Sequence, residues 1–297
     1  SMTEIAFIGL GNMGSGMCAN LVAAGNKVRA FDLNRGAVAA MKKIGATGAN
    51  SLSEAVDEAD VIVTMLPAGE HVLSVYFGPD GIASQLKSSA LLIDCSTISV
   101  NDARELARKA NASGLDIVDA PVSGGVAAAK AGTLTFMVGG TKEAFARARP
   151  ILDDMGKNVF YAGGTGNGQA AKIANNMLLA ISMIGTCEAF NLAERLGLDA
   201  QTFFNISSNA SGQCWSMTSY CPAPGPVPEA PSNRDYEPGF TAAMMLKDLV
   251  LAGEAATMTG AETALGDHAR DIYKSLNDFG LSETDFSGIM KLLKSKP

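Results

Sequence analysis

The sequence predicts an α/β domain built on a doubly wound parallel sheet, followed by an all-α domain. Three observations carry this. Short apolar runs alternate with helical patterns through the first half, a glycine fingerprint marks the first strand-to-helix turn, and strand signals largely stop after about residue 164. The chain has 297 residues, enough for two cores, since single cores seldom grow much beyond about 250 residues.

Candidate strands run over residues 4–10, 27–33, 60–66, 90–95, 115–120, 133–138 and 158–161. Helical spacing fills most of the gaps, as at 13–24, 101–112 and 142–155. The near-continuous apolar runs Val61-Ile62-Val63 and Leu91-Leu92-Ile93 suit strands covered on both faces. A glycine-rich stretch, Gly163-Gly164-Thr165-Gly166-Asn167-Gly168, then leads into a long helical run over 169–196. The remainder of the chain reads as helices interrupted by a proline-rich loop at 221–238. The expected domains are therefore 1–164 and 165–297.

Composition narrows the function classes. Hydrophobic residues make up 47% and charged residues 18%, the balance of a chain that folds around a core rather than staying disordered. Lys and Arg number 23 against 30 Asp and Glu, a net charge of −7 with no basic run, so neither a nucleic-acid nor an anionic-membrane partner is expected. The longest uncharged apolar stretch, 177–187, falls short of the roughly 20 residues that span a bilayer. The five cysteines are scattered without a C-x-x-C pair, as unpaired thiols in a reducing compartment would be. His71 and His268 have no Cys/His cluster around them, so no metal site is expected. With a strand expected from Glu4, no signal peptide is expected, and Ser1-Met2 is expected to be an expression remnant.

The chemistry begins at Gly9-Leu10-Gly11-Asn12-Met13-Gly14, a G-x-G-x-x-G at the end of the first strand and the start of the first helix. Gly9 permits the tight turn, Gly11 lets a pyrophosphate approach the backbone, and Gly14 lets the helix pack close to the strand. The helix N-terminus adds unpaired N–H groups and a positive dipole end. Asp32 closes the second strand 18 residues after Gly14, placed to bind ribose hydroxyls and repel a 2′-phosphate. This predicts a Rossmann-type NAD site, with Arg35 offsetting part of the repulsion. Ligands of doubly wound sheets gather at the carboxyl ends of strands, where Leu66-Pro67, Ser96-Thr97 and Ser123-Gly124-Gly125 stand.

Ser123-Gly124-Gly125 offers backbone N–H groups and a hydroxyl to a carboxylate, or is a plain turn. As a nucleophile Ser123 lacks a base. Lys172 and Asn176, four apart, share one face of the long apolar helix. Burial and the helix N-terminus both favour the neutral amine, which suits proton exchange with a substrate hydroxyl. The competing reading is a lysine whose head snorkels to water. Lys247-Asp248 is either a second approach to the site or a surface pair, and Trp215 lines a pocket or fills the helical core. His71 and His268 have no triad partners and are read as structural.

Taken together, these motifs resemble the 3-hydroxyisobutyrate dehydrogenases of the β-hydroxyacid dehydrogenase superfamily, nearly end to end. The resemblance rests on residues 7–14, 119–125 and 168–176, on Lys247-Asp248, and on the stretch 175–183. It implies that Lys172 is the catalytic lysine, that Ser123, Gly124, Gly125 and Asn176 hold the substrate, and that Leu66, Pro67, Thr97 and Lys247 lie on the cofactor side. It also implies NAD-dependent oxidation of 3-hydroxyisobutyrate to methylmalonate semialdehyde by a homodimer or homotetramer; with no transit peptide read at the start, the expected compartment is a bacterial cytosol or, for a processed form, the mitochondrial matrix. The 6-phosphogluconate branch has a histidine at the position of Asn175 and a glutamate at that of Leu179, and the imine reductases usually replace the lysine. A tartronate semialdehyde reductase and a silent NAD-binding module are the alternatives. Gly16, Ala127 and Lys130 depart from a proline, a glycine and an arginine frequent in the family. The loss of that proline should loosen the first helical turn.

Overall fold

The computed structural model describes residues 3–297; the expectation for Ser1-Met2 lies outside the described residues. Two compact units emerge, 1–172 and 173–297. The division lies eight residues beyond the expected boundary at 164, because the first turns of the long helix are tied into the first unit.

The first unit is a nine-stranded sheet. Its strands are β1 (Glu4–Ile8), β2 (Lys27–Phe31), β3 (Thr47–Gly48), β4 (Val61–Thr64), β5 (Leu91–Asp94), β6 (Asp116–Asp119), β7 (Val122–Ser123), β8 (Leu134–Gly139) and β9 (Gly156–Gly163). Helices α1 (Asn12–Ala23), α2 (Arg35–Lys43), α3 (Leu52–Val56), α4 (Gly69–Phe77), α5 (Val100–Ala112), α6 (Gly125–Ala131) and α7 (Lys142–Asp153) fall between them. The sheet order is β3-β2-β1-β4-β5-β6-β8-β7, with β9 on β8. β1 pairs in parallel with both β2 and β4, so chain order reverses there and a crevice opens beyond the strand ends.

Alternation along the strands covers both faces. Ile5, Phe7, Val61, Val63, Leu91 and Ile93 join α1 and α7 in one core layer. Ala6, Ile8, Ile62 and Leu92 join α3, α4 and α5 in the other.

The expected parallel sheet holds from β3 through β6 and fails at β8, which runs antiparallel to β6 and β7. Only ten residues, 124–133, connect β7 to β8, too few for the dozen or so that a parallel crossover needs. The two-residue strands β3 and β7 were not expected. Alternation cannot be seen in two residues.

The second unit contains most of α8 (Asn167–Arg195), then α9 (Ala200–Ser207), α10 (Trp215–Thr218), α11 (Ala242–Thr259), α12 (Ala264–Asp278) and α13 (Ile289–Lys294). Its core combines Met183, Cys187 and Phe190 of α8 with Met245 and Leu249 of α11 and Tyr273 of α12. Asp285, wholly buried, accepts hydrogen bonds from Tyr220 Oη at 2.6 Å and from the backbone of Gly239 and Phe240 at 2.9 and 3.1 Å, which pins the end of the proline-rich loop. By length and composition α8 is apolar enough to cross a membrane, a property it shares with core helices, and 44% of its apolar stretch is buried inside the protein.

Candidate active site

The glycine fingerprint is explained by three different local demands. Gly9 has φ +105°, and a Cβ there would lie 2.1 Å from the Met65 carbonyl oxygen. At Gly14 a Cβ would meet the Gly9 carbonyl oxygen at 2.1 Å, so α1 starts hard against the strand end. At Gly11 nothing lies within 4 Å, and this open backbone is the cradle a dinucleotide pyrophosphate requires. Asn12 and Met13 begin α1, whose first N–H groups point out of this turn.

Asp32 is organised before any ligand arrives. One carboxylate oxygen accepts from Leu10 N at 2.7 Å and the other from Asn34 N at 2.7 Å, fixing the acid beside the fingerprint. With Arg35, Lys42 and Asn50 it lines a surface pocket of about 260 Å³. The residues therefore fit NAD, with a fixed negative charge where the adenosine ribose belongs.

Gly16, where the sequence reading expected a looser first turn, lies in close contact with another helix. A Cβ there would approach the backbone of Ala129 and Lys130 at 3.0 Å, and Asn20 Nδ2 donates to Ala129 O at 2.7 Å. Glycine at this position lets α1 pack directly on α6.

Among the strand ends, Leu66 N donates to Ser96 Oγ at 2.8 Å, which ties Leu66-Pro67 to the turn bearing half-buried Thr97. Two carboxylates, Asp94 and Asp119, close the neighbouring strands β5 and β6 in paired register. Asp94 is 1% exposed. Its Oδ1 accepts from Thr64 Oγ1 at 2.8 Å and Ser96 N at 3.2 Å. Burial, with Asp119 alongside, pushes its carboxyl up to about 6. Burial also raises the Asp119 carboxyl, against the pull of backbone N–H donors. Asp119 Oδ1 accepts from Gly166 N at 2.9 Å and Oδ2 from Gln169 N at 3.1 Å, so this carboxylate holds the start of α8.

Gly124 and Gly125 both take positive φ, +133° and +76°, and Ser123 is half-buried at the end of β7. Lys172 is 7% exposed, and its Nζ donates to the carbonyl of Val122, the residue before Ser123. The lysine is thus buried beside the turn and does not snorkel. One helical turn on, Asn176 is 5% exposed and its Nδ2 donates to Asp248 Oδ2 at 2.6 Å. Asp248, 3% exposed on α11, is buried while the adjoining Lys247 is half-buried, so the Lys247-Asp248 pair is no surface ion pair.

Trp215 is 50% exposed and stacks on Tyr220 at 4.9 Å, so it does not fill the core. His71 and His268 are exposed. All five cysteines are unpaired, and among the described residues no group of three or more His, Cys, Asp or Glu is placed to hold a metal. Ser96 and Asp248 were read in the sequence only beside Thr97 and Lys247, and Asp119 and Gln169 only within longer motifs, none of them with the partner it has here. A carboxylate closing an apolar strand was the available signal for Asp119.

Comparisons with known proteins give the family. The family model described as the NAD binding domain of 6-phosphogluconate dehydrogenase matches residues 4–163. The one described as NAD-binding of NADP-dependent 3-hydroxyisobutyrate dehydrogenase matches residues 166–293. A 3-hydroxyisobutyrate dehydrogenase of Pseudomonas aeruginosa is 48% identical, over 99% of this chain and 100% of that one. The chain belongs to the 3-hydroxyisobutyrate dehydrogenase family. An NAD-dependent L-serine dehydrogenase of the same organism is 46% identical, over 98% of each chain. The solved Mycobacterium tuberculosis 3-hydroxyisobutyrate dehydrogenase with L-serine aligns at a TM-score of 0.94 and 49% identity, over 99% of this chain and 100% of that one. The chain is an NAD-dependent oxidoreductase of this family, with the mostly parallel sheet and helical second region that its sequence predicts.

Proposed function

We propose that this protein oxidises 3-hydroxyisobutyrate to methylmalonate semialdehyde with NAD, the step of valine catabolism that family membership suggests. The observation that carries the mechanism is the buried Lys172, hydrogen-bonded to the carbonyl that precedes Ser123-Gly124-Gly125. Gly9, Leu10, Gly11, Asn12, Met13, Gly14 and Asp32 would hold the cofactor, with Leu66, Pro67, Thr97 and Lys247 on its nicotinamide side. When bound, NAD supplies the hydride acceptor.

The protein's own groups do the rest. The Ser123 hydroxyl and the N–H groups of Gly124 and Gly125 receive the substrate carboxylate. The amine of Lys172, in its neutral form, takes the proton of the 3-hydroxyl on its lone pair as C3 is oxidised. Val122 O orients the amine, fixing where that lone pair points. Asn176, anchored by Asp248, directs its second amide hydrogen to the same hydroxyl.

A homodimer or homotetramer belongs to the same proposal. Leu178 and Leu192 of α8 and Leu265 of α12 are each more than 60% exposed, apolar surface that a second copy would cover. The compartment proposed is a bacterial cytosol, or the mitochondrial matrix for a processed form.

A second reading, oxidation of L-serine, is favoured by the serine dehydrogenase relative and by the serine-bound mycobacterial structure. Initial rates of NADH formation with (S)-3-hydroxyisobutyrate, L-serine and D-glycerate separate the readings. A methyl in place of a polar group shifts preference by about 1–3 kcal/mol in an apolar pocket, so kcat/KM should favour 3-hydroxyisobutyrate by roughly tenfold or more. Preference for L-serine would install the second reading, and preference for D-glycerate would move the enzyme to tartronate semialdehyde chemistry.

A further inference from the structure

Gln169 is a wholly buried polar side chain with no role in the proposed chemistry. Its amide grips one short segment at two points. Nε2 donates to Ser96 O at 2.7 Å, and Oε1 accepts from Ile98 N at 3.3 Å. Thr97 lies between these anchors. The Gln169 backbone N–H is in turn held by Asp119 Oδ2 at 3.1 Å. A Cβ at the preceding Gly168 would strike Met137 O at 2.3 Å, so this end of α8 is seated directly on the strand ends.

Lys172 lies three residues after Gln169, and side chains at that spacing leave a helix on neighbouring positions of one face. One of them grips the turn of Thr97, and the other bonds to the carbonyl of Val122. Ser96 extends the chain by accepting the Leu66 N–H on its hydroxyl. The cofactor-side strand ends and the proton acceptor are therefore registered against each other through adjacent side chains of one helical turn. An amide is the group that can do this, because it presents one donor and one acceptor at the same reach. Glutamate lacks the donor, and leucine lacks both.

We propose that Gln169 is a positioning residue that fixes the Thr97 turn relative to Lys172, and so the hydride-accepting side relative to the base. This rests on the proposed function of Lys172 and deepens it. Misplacement of reacting groups by about an ångström can cost on the order of a hundredfold in rate.

The test compares wild type, Gln169→Leu, Gln169→Glu and Lys172→Ala. Gln169→Leu is expected to lower kcat by about tenfold or more, with the NADH dissociation constant measured by fluorescence within about threefold of wild type. With C3-deuterated 3-hydroxyisobutyrate the primary isotope effect on kcat should exceed that of wild type, and the pH profile should keep its position. Gln169→Glu, which keeps shape and acceptor, should lose several-fold, and it carries the test if the leucine variant does not fold. In the ligand-free protein, amide hydrogen exchange at Ile98 should accelerate in Gln169→Leu, which removes the acceptor of that N–H, and much less in Gln169→Glu, which keeps it. Wild-type kcat and isotope effect in a folded Gln169 variant, with only a lower melting temperature, would make Gln169 a packing residue and overturn the proposal. Unchanged exchange at Ile98 in Gln169→Leu would overturn the clamp itself. Failure of the parent reading looks different: Lys172→Ala would turn over normally, or wild type would ignore 3-hydroxyacids, while the exchange measurement still reports on Gln169.

Discussion

The first turns of α8 and the rest of the same helix are held by different forces. From Gly166 to Lys172 the bonds are directional: Asp119 takes two backbone N–H groups, Gln169 grips Ser96 and Ile98, and Lys172 reaches Val122. From Ala180 to Phe190 the helix is held by burial of Met183, Ile184, Cys187 and Phe190 in an apolar core. Apolar packing is strong and weakly directional, whereas a hydrogen bond tolerates little error in distance or angle. Lys172, the proposed proton acceptor, is found where the helix is pinned. The part that supplies stability lies farther along.

The largest effect that would break this division comes from the apolar half. Phe190 is 2% exposed and packs edge-on against Phe203 at 5.0 Å. Phe190→Ala is expected to cost about 3–5 kcal/mol in urea denaturation, with kcat per folded molecule within about twofold of wild type. A fall in kcat of tenfold or more in the folded variant would show that apolar packing also sets the chemistry.

The strand end next to the pinned half should give the protein a pH signature. The Asp94 carboxyl is raised from 3.8 to about 6 by burial, so the folded state keeps a proton that the unfolded chain releases. The folded state binds more protons within that window, so this contribution to stability falls as pH rises through it and is flat above. Asp94→Asn, which retains an acceptor for Thr64 and Ser96, should match or exceed wild type above the window. The gain should be on the order of 3 kcal/mol and should vanish below 3.8, as read from chemical denaturation at several pH values. A gain independent of pH would mean that Asp94 is not the titrating group.

The smallest effect sharpens the same contrast. Ile184→Val removes one methylene from the core and should cost about 0.5–1.5 kcal/mol with no measurable change in kcat or KM.

Legibility in the sequence divides along the same line. The fingerprint Gly9 to Gly14 could be read because its three glycines stand at fixed offsets within six residues, at the end of an apolar strand. The strands β1, β2, β4, β5 and β6 were visible in runs of apolar residues. The pinning of α8 was not, because its partners are far away in the chain: Gln169 finds Ser96 across 73 residues and Asn176 finds Asp248 across 72. A buried amide or carboxylate shows its purpose only when its partner is beside it. The sheet's reversal at β8 was hidden for a related reason, since strand direction depends on what a connection can span.

The most direct test of the central claim is the turnover of Lys172→Ala with 3-hydroxyisobutyrate and NAD, measured beside its affinity for NADH. The expected result is a loss of at least about a hundredfold in kcat with NADH binding retained, the lower range for removing a general acid–base. Turnover near that of wild type, with NADH bound normally, would contradict it.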